Sequence, residues 1–407
     1  MDFTPSARVS ALSAELTDFL TTSVLPAESV LDEQCAASAD SIRDEAPILD
    51  ALKKQARSRG LWNLFLVGSP RGPGLTNLEY APLAEITGWS PDLAPEATNC
   101  SAPDTGNMEL LELFGTVEQQ RIWLDPLLEG EIRSCFAMTE PEVASSDARN
   151  ISTRIRRDGG DYVVTGHKWW ASGALRERCA LLVVLGVTDP DAAPSRRHSM
   201  ILVPKDTPGV RIVRSTPVFG YEHASVGGHA EIWFDDVRVP AANLLGTEGA
   251  GFGMAQARLG PGRVHHCMRL LGQAERALEL MCRRAQSRTA FGAPLADQGV
   301  VREQIALSRM EVDQARLIVL KTAWLIDTVG NRSCRTEIST IKALVPRVVA
   351  GVVDRAIQVH GAAGVSADTP LARFYTDGRF LRIGDGPDEV HVAAVARREL
   401  ARYGGLA

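Results

Sequence analysis

Residues 161–187 read DYVVTGHKWWASGALRERCALLVVLGV. DYVVTG and CALLVVLGV are strand-sized runs rich in β-branched and apolar residues, and Gly and Ser punctuate the stretch between them. The second run is too short for the roughly 20 apolar residues of a membrane helix, as is every other apolar stretch of the chain. Working outward, HSMILVPK (198–205), GVRIVRS (209–215) and AEIWFDDVRVP (230–240) repeat the pattern between Gly, Asp and Pro turns. Residues 134–244 therefore read as a β domain. On either side the apolar spacing changes to three and four. SALSAELTDFLTTSVL, APILDALKKQARSRGLW and MELLELFGTVEQQRIWLDPLLEG precede it, and Val264, Met268, Leu271, Leu278 and Met281 share one face of a long helix after it. Two more long helices are expected near 300–328 and 336–361. The organisation is helical over 1–133, β over 134–244 and helical over 245–407.

Composition narrows the function classes. The 407 residues are 45% hydrophobic and 23% charged with a net charge of −6, which suits a globular protein and argues against a nucleic-acid-coating one. Seven cysteines form no Cys-x-x-Cys pair, so neither a disulfide framework nor a zinc site is indicated, and reduced thiols point to a cytoplasmic protein. The N-terminus lacks the basic start and apolar core of a secretory signal, and no membrane insertion is expected. His265 and His266 are adjacent and diverge on a helix, so they make no metal pair.

Three separated stretches, together with the C-terminal RIGDGPDEVH (382–391), resemble the acyl-CoA dehydrogenase family. FAMTEPEVASSDARNI (136–151) with GHKWWASGA (166–174) is similar to its flavin-binding pair. The resemblance implies that Phe136, Met138 and Thr139 wall the flavin, Trp170 packs on its ring, Ser172 bonds near N5, and Ser146 approaches the substrate's phosphopantetheine. SRTAFGAPL (287–295) resembles the Arg-x-x-Phe-Gly element, which implies that Arg288 meets the FAD pyrophosphate of a neighbouring subunit and that Phe291 belongs to the same cofactor site. QVHGAAGV (358–365) resembles the loop that receives the adenosine half of FAD across a dimer, through Gln358, Gly361 and Gly364. RIGDGPDEVH falls at the catalytic loop, with Pro387 and Asp388 where a cofactor-contacting Thr-Ser pair is usual.

Most members carry glutamate where this chain has Asp385. The aspartate, with MTEPEVASSD, KWWASG and PGRVHHCMR, resembles the branch of family members ten and eleven. The implied fold is α+β, with an N-terminal helical domain, a middle β-barrel-like domain and a C-terminal four-helix bundle. The implied reaction is FAD-dependent oxidation of an acyl-CoA to the trans-2-enoyl-CoA: Asp385 takes the α-proton, flavin N5 the β-hydride, the Gly386 loop supports the substrate, and Arg263 lies near the CoA portion or supports the catalytic loop. An electron-transfer flavoprotein is the implied acceptor and a homodimer or homotetramer the implied assembly.

Other readings stay open at this level. Asp385, Asp388 and Glu389 stand before a helix and suit caps and dipole partners. A flavin oxidase of acyl-CoA or nitroalkane type, or a silent flavin- or CoA-binding protein, would use the same scaffold. Aspartate is shorter than glutamate by roughly 1.5 Å, so the turn has to bring its backbone closer, and Pro387 is expected to bias Gly386 toward extended geometry. Gly260, Pro261 and Gly262 are expected to weaken or kink the long helix.

Overall fold

The computed structural model describes residues 2–38, 40, 45–223 and 227–404. Helices Ala7–Phe19, Glu28–Ala37, Pro47–Ser58, Asn77–Thr87 and Asp104–Phe114 build the N-terminal part. Local sequence sets several of their starts. The Ser6 hydroxyl accepts from the Val9 N–H, and Thr76 and Glu79 form a reciprocal capping box.

Eight strands follow: β1 Arg133–Ala137, β2 Arg154–Asp158, β3 Asp161–Ser172, β4 Cys179–Val187, β5 His198–Pro204, β6 Val210–Ser215, β7 His229–Pro240 and β8 Leu244–Leu245. They form one mixed sheet in the order β6-β7-β3-β2-β4-β5-β8, with β1 parallel to β4. The unbroken apolar run of β4 has a physical reason, because both of its faces are buried. Leu181, Val183 and Leu185 join a large core shared with the helices, while Leu182 and Val184 join a second core with Ile201, Ile232 and Phe234.

The barrel expected for this domain is not formed. Among the described residues β6 and β8 end the sheet without pairing to each other, so the sheet stays open. Alternation reveals that strands exist but says nothing about which edges meet. Here the β6 edge is half solvated and carries Arg211 and Arg214, paired to Asp235 and Glu231, a charge pattern that blunts an edge.

The C-terminal part is also more than a four-helix bundle. Long helices Gly251–Ser287, Gly299–Val329 and Arg335–His360 pack together, and shorter helices Leu371–Phe380 and Asp388–Ala401 pack on the last of them. The five predicted core residues of the first long helix are all buried. That helix runs unbroken through Pro261, against the expected weakening. The Asn77–Thr87 helix crosses it so closely that a Cβ at Gly272 would lie 1.9 Å from the Glu85 carbonyl oxygen. Among the described residues no helix is long and apolar enough to cross a membrane.

Candidate active site

A cavity of about 2040 Å³ opens where the sheet meets the Gly251–Ser287 helix and the C-terminal turn. Ordinary small-molecule sites measure roughly 300–1,000 Å³, so there is room for two extended ligands. Of the residues expected at the site, Phe136, Met138, Thr139, Ser146, Trp170, Ser172, Arg263, Asp385, Gly386 and Pro387 line it. Arg288, Phe291, Gln358, Gly361, Gly364 and Asp388 do not.

The sheet side of the wall is built from a bulge. The pairing of β3 with β7 shifts register between Lys168 and Ala171, and Trp170 sits there at φ 53°, a left-handed conformation that costs a non-glycine residue about 1–2 kcal/mol. Buried charge holds the loop in front of it. Lys168, fully buried, donates to the Met138 carbonyl and to Glu140, both at 2.8 Å, and Glu140 also accepts from the Ser152 and Thr153 N–H groups. Burial alone would raise the Glu140 carboxyl, but Lys168 and these donors bring it down to about 2. The wall suits a flavin: it offers the Trp170 indole, hydroxyls at Thr139 and Ser172, and beside them the buried Trp169 indole N–H, which has no partner among the described residues.

The opposite wall is the turn 381–388. Asp385 takes φ 56° and Gly386 φ 105°. The extended Gly386 expected from Pro387 is thus replaced by a conformation that L side chains rarely adopt, and a Cβ there would meet His391 Nε2 at 2.9 Å. Side chains from three helices clamp the turn's carbonyls. Arg263 Nε donates to the Asp385 carbonyl at 2.9 Å, the His391 ring stands 3.3 Å from the same oxygen, and Lys342 Nζ donates to the Leu381 and Gly386 carbonyls. Arg263 therefore supports the loop.

Asp385 does not cap the following helix. Pro387 holds the N-cap position without a side-chain bond, and Asp388 and Glu389 fill the first turn. Asp388 is 2% exposed and accepts from Arg347 and Arg382, each at 2.8 Å. The Asp385 carboxylate, by contrast, has His266 Nε2 at 3.6 Å as its nearest ionic neighbour. Burial works to raise its pKa, but His266, Arg258, Arg263 and Lys342 outweigh it and hold the group below its ordinary value.

His266 was set aside as a metal ligand on spacing, yet it lines the cavity beside Asp385. Arg269 can only donate, and it stands 3.4 Å from His266 Nδ1, so the proton of the neutral ring lies on Nε2, toward Asp385. Burial and Arg269 push this histidine down to about 4, which keeps it neutral near pH 7. No local spacing signals His266, Arg258 or Lys342, because they reach the turn from other helices.

The residues outside the cavity lie together in type. Arg288 ends the long helix and is exposed, Phe291 is fully exposed (101%) at the tip of the Thr289–Pro294 hairpin with φ 54°, and Gln358 is exposed before the Gly361–Gly364 turn.

A carboxylate on one wall and an indole on the other, across a cavity of this size, leave room for a flavin beside a second extended ligand. Family models for the acyl-CoA dehydrogenase middle domain and C-terminal domain match residues 135–237 and 249–400. The Mycobacterium tuberculosis protein named Probable acyl-CoA dehydrogenase FadE2 is 60% identical over 99% of this chain and 98% of that protein. Acyl-CoA dehydrogenase family member 10 of Mus musculus is 53% identical over 97% of this chain, which spans 37% of that longer protein. A solved Mycobacterium abscessus structure, 48% identical, superposes with a TM-score of 0.95 over 98% of this chain and 100% of that one. The chain belongs to the acyl-CoA dehydrogenase family, whose members use FAD, and stands close to members ten and eleven.

Proposed function

We propose that this chain oxidises an acyl-CoA thioester to its trans-2-enoyl-CoA, with Asp385 as the general base. One observation carries the reading: Arg263, His391 and Lys342 engage the carbonyls of Leu381, Asp385 and Gly386, while the Asp385 carboxylate lines the cavity with no hydrogen bond among the described residues, its nearest ionic neighbour, His266 Nε2, lying 3.6 Å away. A carboxylate so placed is ionised and free to take the weakly acidic α-proton. FAD, when bound, supplies the hydride acceptor that no amino-acid side chain provides. Thr139, Trp170 and Ser172 would hold its ring, and the Gly386 backbone would approach the thioester oxygen.

The exposed Arg288, Phe291 and Gln358 support an FAD site completed by a second copy of the chain. Helix Gly299–Val329 also exposes Val300, Leu307, Met310 and Leu317, an apolar stripe suited to a homo-oligomer. Family resemblance supports electron-transfer flavoprotein as acceptor, and seven free cysteines suit a cytoplasmic setting. The test is anaerobic bleaching of the purified flavoprotein by a panel of acyl-CoAs, followed by admission of air. Bleaching with slow reoxidation is expected. A colourless protein that cannot be reconstituted with FAD, or one that no acyl-CoA bleaches, contradicts the proposal.

A further inference from the structure

A row of buried and half-buried polar groups runs from Ser172 on the flavin wall to the C-terminal helices, and beyond Ser172 the dehydrogenation chemistry leaves it unused. Ser172 ends β3 directly opposite His229, the first residue of β7, and its hydroxyl lies 2.8 Å from His229 Nδ1. His229 Nε2 lies 2.9 Å from His223 Nδ1. His223 Nε2 then faces Asp377 Oδ1 at 3.6 Å, slightly beyond hydrogen-bond length, and has no hydrogen-bond partner among the described residues. Both histidines are buried, and Phe380 and Trp170 pack against His229 while Phe380 also meets His223 edge-on.

We propose that Ser172, His229, His223 and Asp377 form a proton relay, in which the protonation of Asp377 decides whether the Ser172 hydroxyl donates to, or accepts from, the N5 edge of the flavin. The proposal rests on the flavin reading above. Two arrangements satisfy every contact, and they differ by one proton. With Asp377 protonated, its O–H donates to His223 Nε2, His223 Nδ1–H donates to His229 Nε2, His229 Nδ1–H donates to Ser172 Oγ, and the hydroxyl proton is free to point into the cavity. With Asp377 ionised, the hydroxyl donates to His229 Nδ1, His229 Nε2–H donates to His223 Nδ1, and His223 Nε2–H donates to the carboxylate. The Ser172 oxygen then offers lone pairs only. An oxidised flavin presents a lone pair at N5 and a reduced one an N–H, so each arrangement complements one redox state.

The surroundings allow the switch near physiological pH. Burial raises Asp377, Arg373 opposes it, Asp92 adds to the rise, and the carboxyl is lifted to about 6; Gln273 donates to its other oxygen. Burial and the nearby Arg373 push His229 down to about 4 and His223 to about 3, with His229 itself also acting on His223 and Asp92 opposing, so both rings stay neutral as Asp377 titrates.

The midpoint potential of the bound flavin, followed through pH 6 in wild type, Asp377→Asn and His223→Asn, tests the relay. Asparagine at 223 tolerates the left-handed backbone there (φ 51°) and breaks the row without touching Asp377. Reduction favours the ionised relay, so in wild type it releases one relay proton in a window just below the Asp377 pKa. The potential should flatten against pH there and regain its slope on either side, whereas both variants should show one unbroken slope. Histidine ¹⁵N spectra of the unreduced protein give a second readout that needs no flavin turnover: His223 and His229 should pass together from Nδ1–H to Nε2–H as pH rises through 6. Identical slopes in all three proteins, or histidine tautomers that do not change, overturn the relay. Failure of the flavin reading shows separately, as absence of bound FAD.

Discussion

Two clusters of buried charge divide this molecule by what their carboxylates are allowed to do. Between the N-terminal helices and the sheet, Glu96 sits 2.7 Å from Arg133, 3.0 Å from Arg176 and 3.3 Å from Lys53, all four side chains at most 8% exposed. Around Asp385 the charges are similar in sign and number, but Arg263 and Lys342 spend their donors on backbone carbonyls, and Arg258 on Asn107 and the Pro103 carbonyl. Glu96 is neutralised by contact. Asp385 is stabilised by field alone, and its side chain stays 25% exposed toward the cavity. The difference teaches that the number of neighbouring cations does not decide whether a carboxylate is left unbonded; where those cations place their hydrogen bonds does.

The sharpest way to break the comparison is Arg133→Met. It leaves Glu96 and Asp104 buried with less compensation, and removal of one partner from a buried ionic network costs about 3–5 kcal/mol. Thermal unfolding should show a large loss of stability, whereas any folded fraction should keep its flavin-reduction rate. A lesser loss is expected for Asp388→Asn, where charge-assisted bonds to Arg347 and Arg382 weaken, worth roughly 1.5–3 kcal/mol. Denaturant unfolding measures it, and flavin reduction should stay within about tenfold of wild type.

How much of this was legible in the sequence depends on the range of the contacts. The β4 run announces a strand buried on both faces, and the Trp170 and Asp385 motifs announce themselves because their neighbours are contiguous in the chain. The open sheet was not legible, since alternation in β6 is the same whether or not its outer edge is paired. Nor were His266, Lys342, His223 and Asp377 legible as members of a site. Each reaches its partner across a loop or from another helix, and singly each looks like an ordinary packed or solvated side chain.

The smallest expected effect is in the pH profile. Asp385 lies below its ordinary 3.8 in the folded chain, so its ionised form adds stability above that value, which is lost as pH falls through the lowered pKa, and the activity of the proposed base should be lost with it. The acid limb of flavin reduction should therefore appear only in strong acid. A limb centred near neutrality would place the base elsewhere.

The most direct measurement of the central claim is single-turnover flavin bleaching by an acyl-CoA in Asp385→Asn. The substitution keeps the shape of the side chain but leaves no group able to take the proton. The rate should fall by about 10²–10⁴-fold while FAD and substrate still bind. A rate within about tenfold of wild type would show that another group is the base.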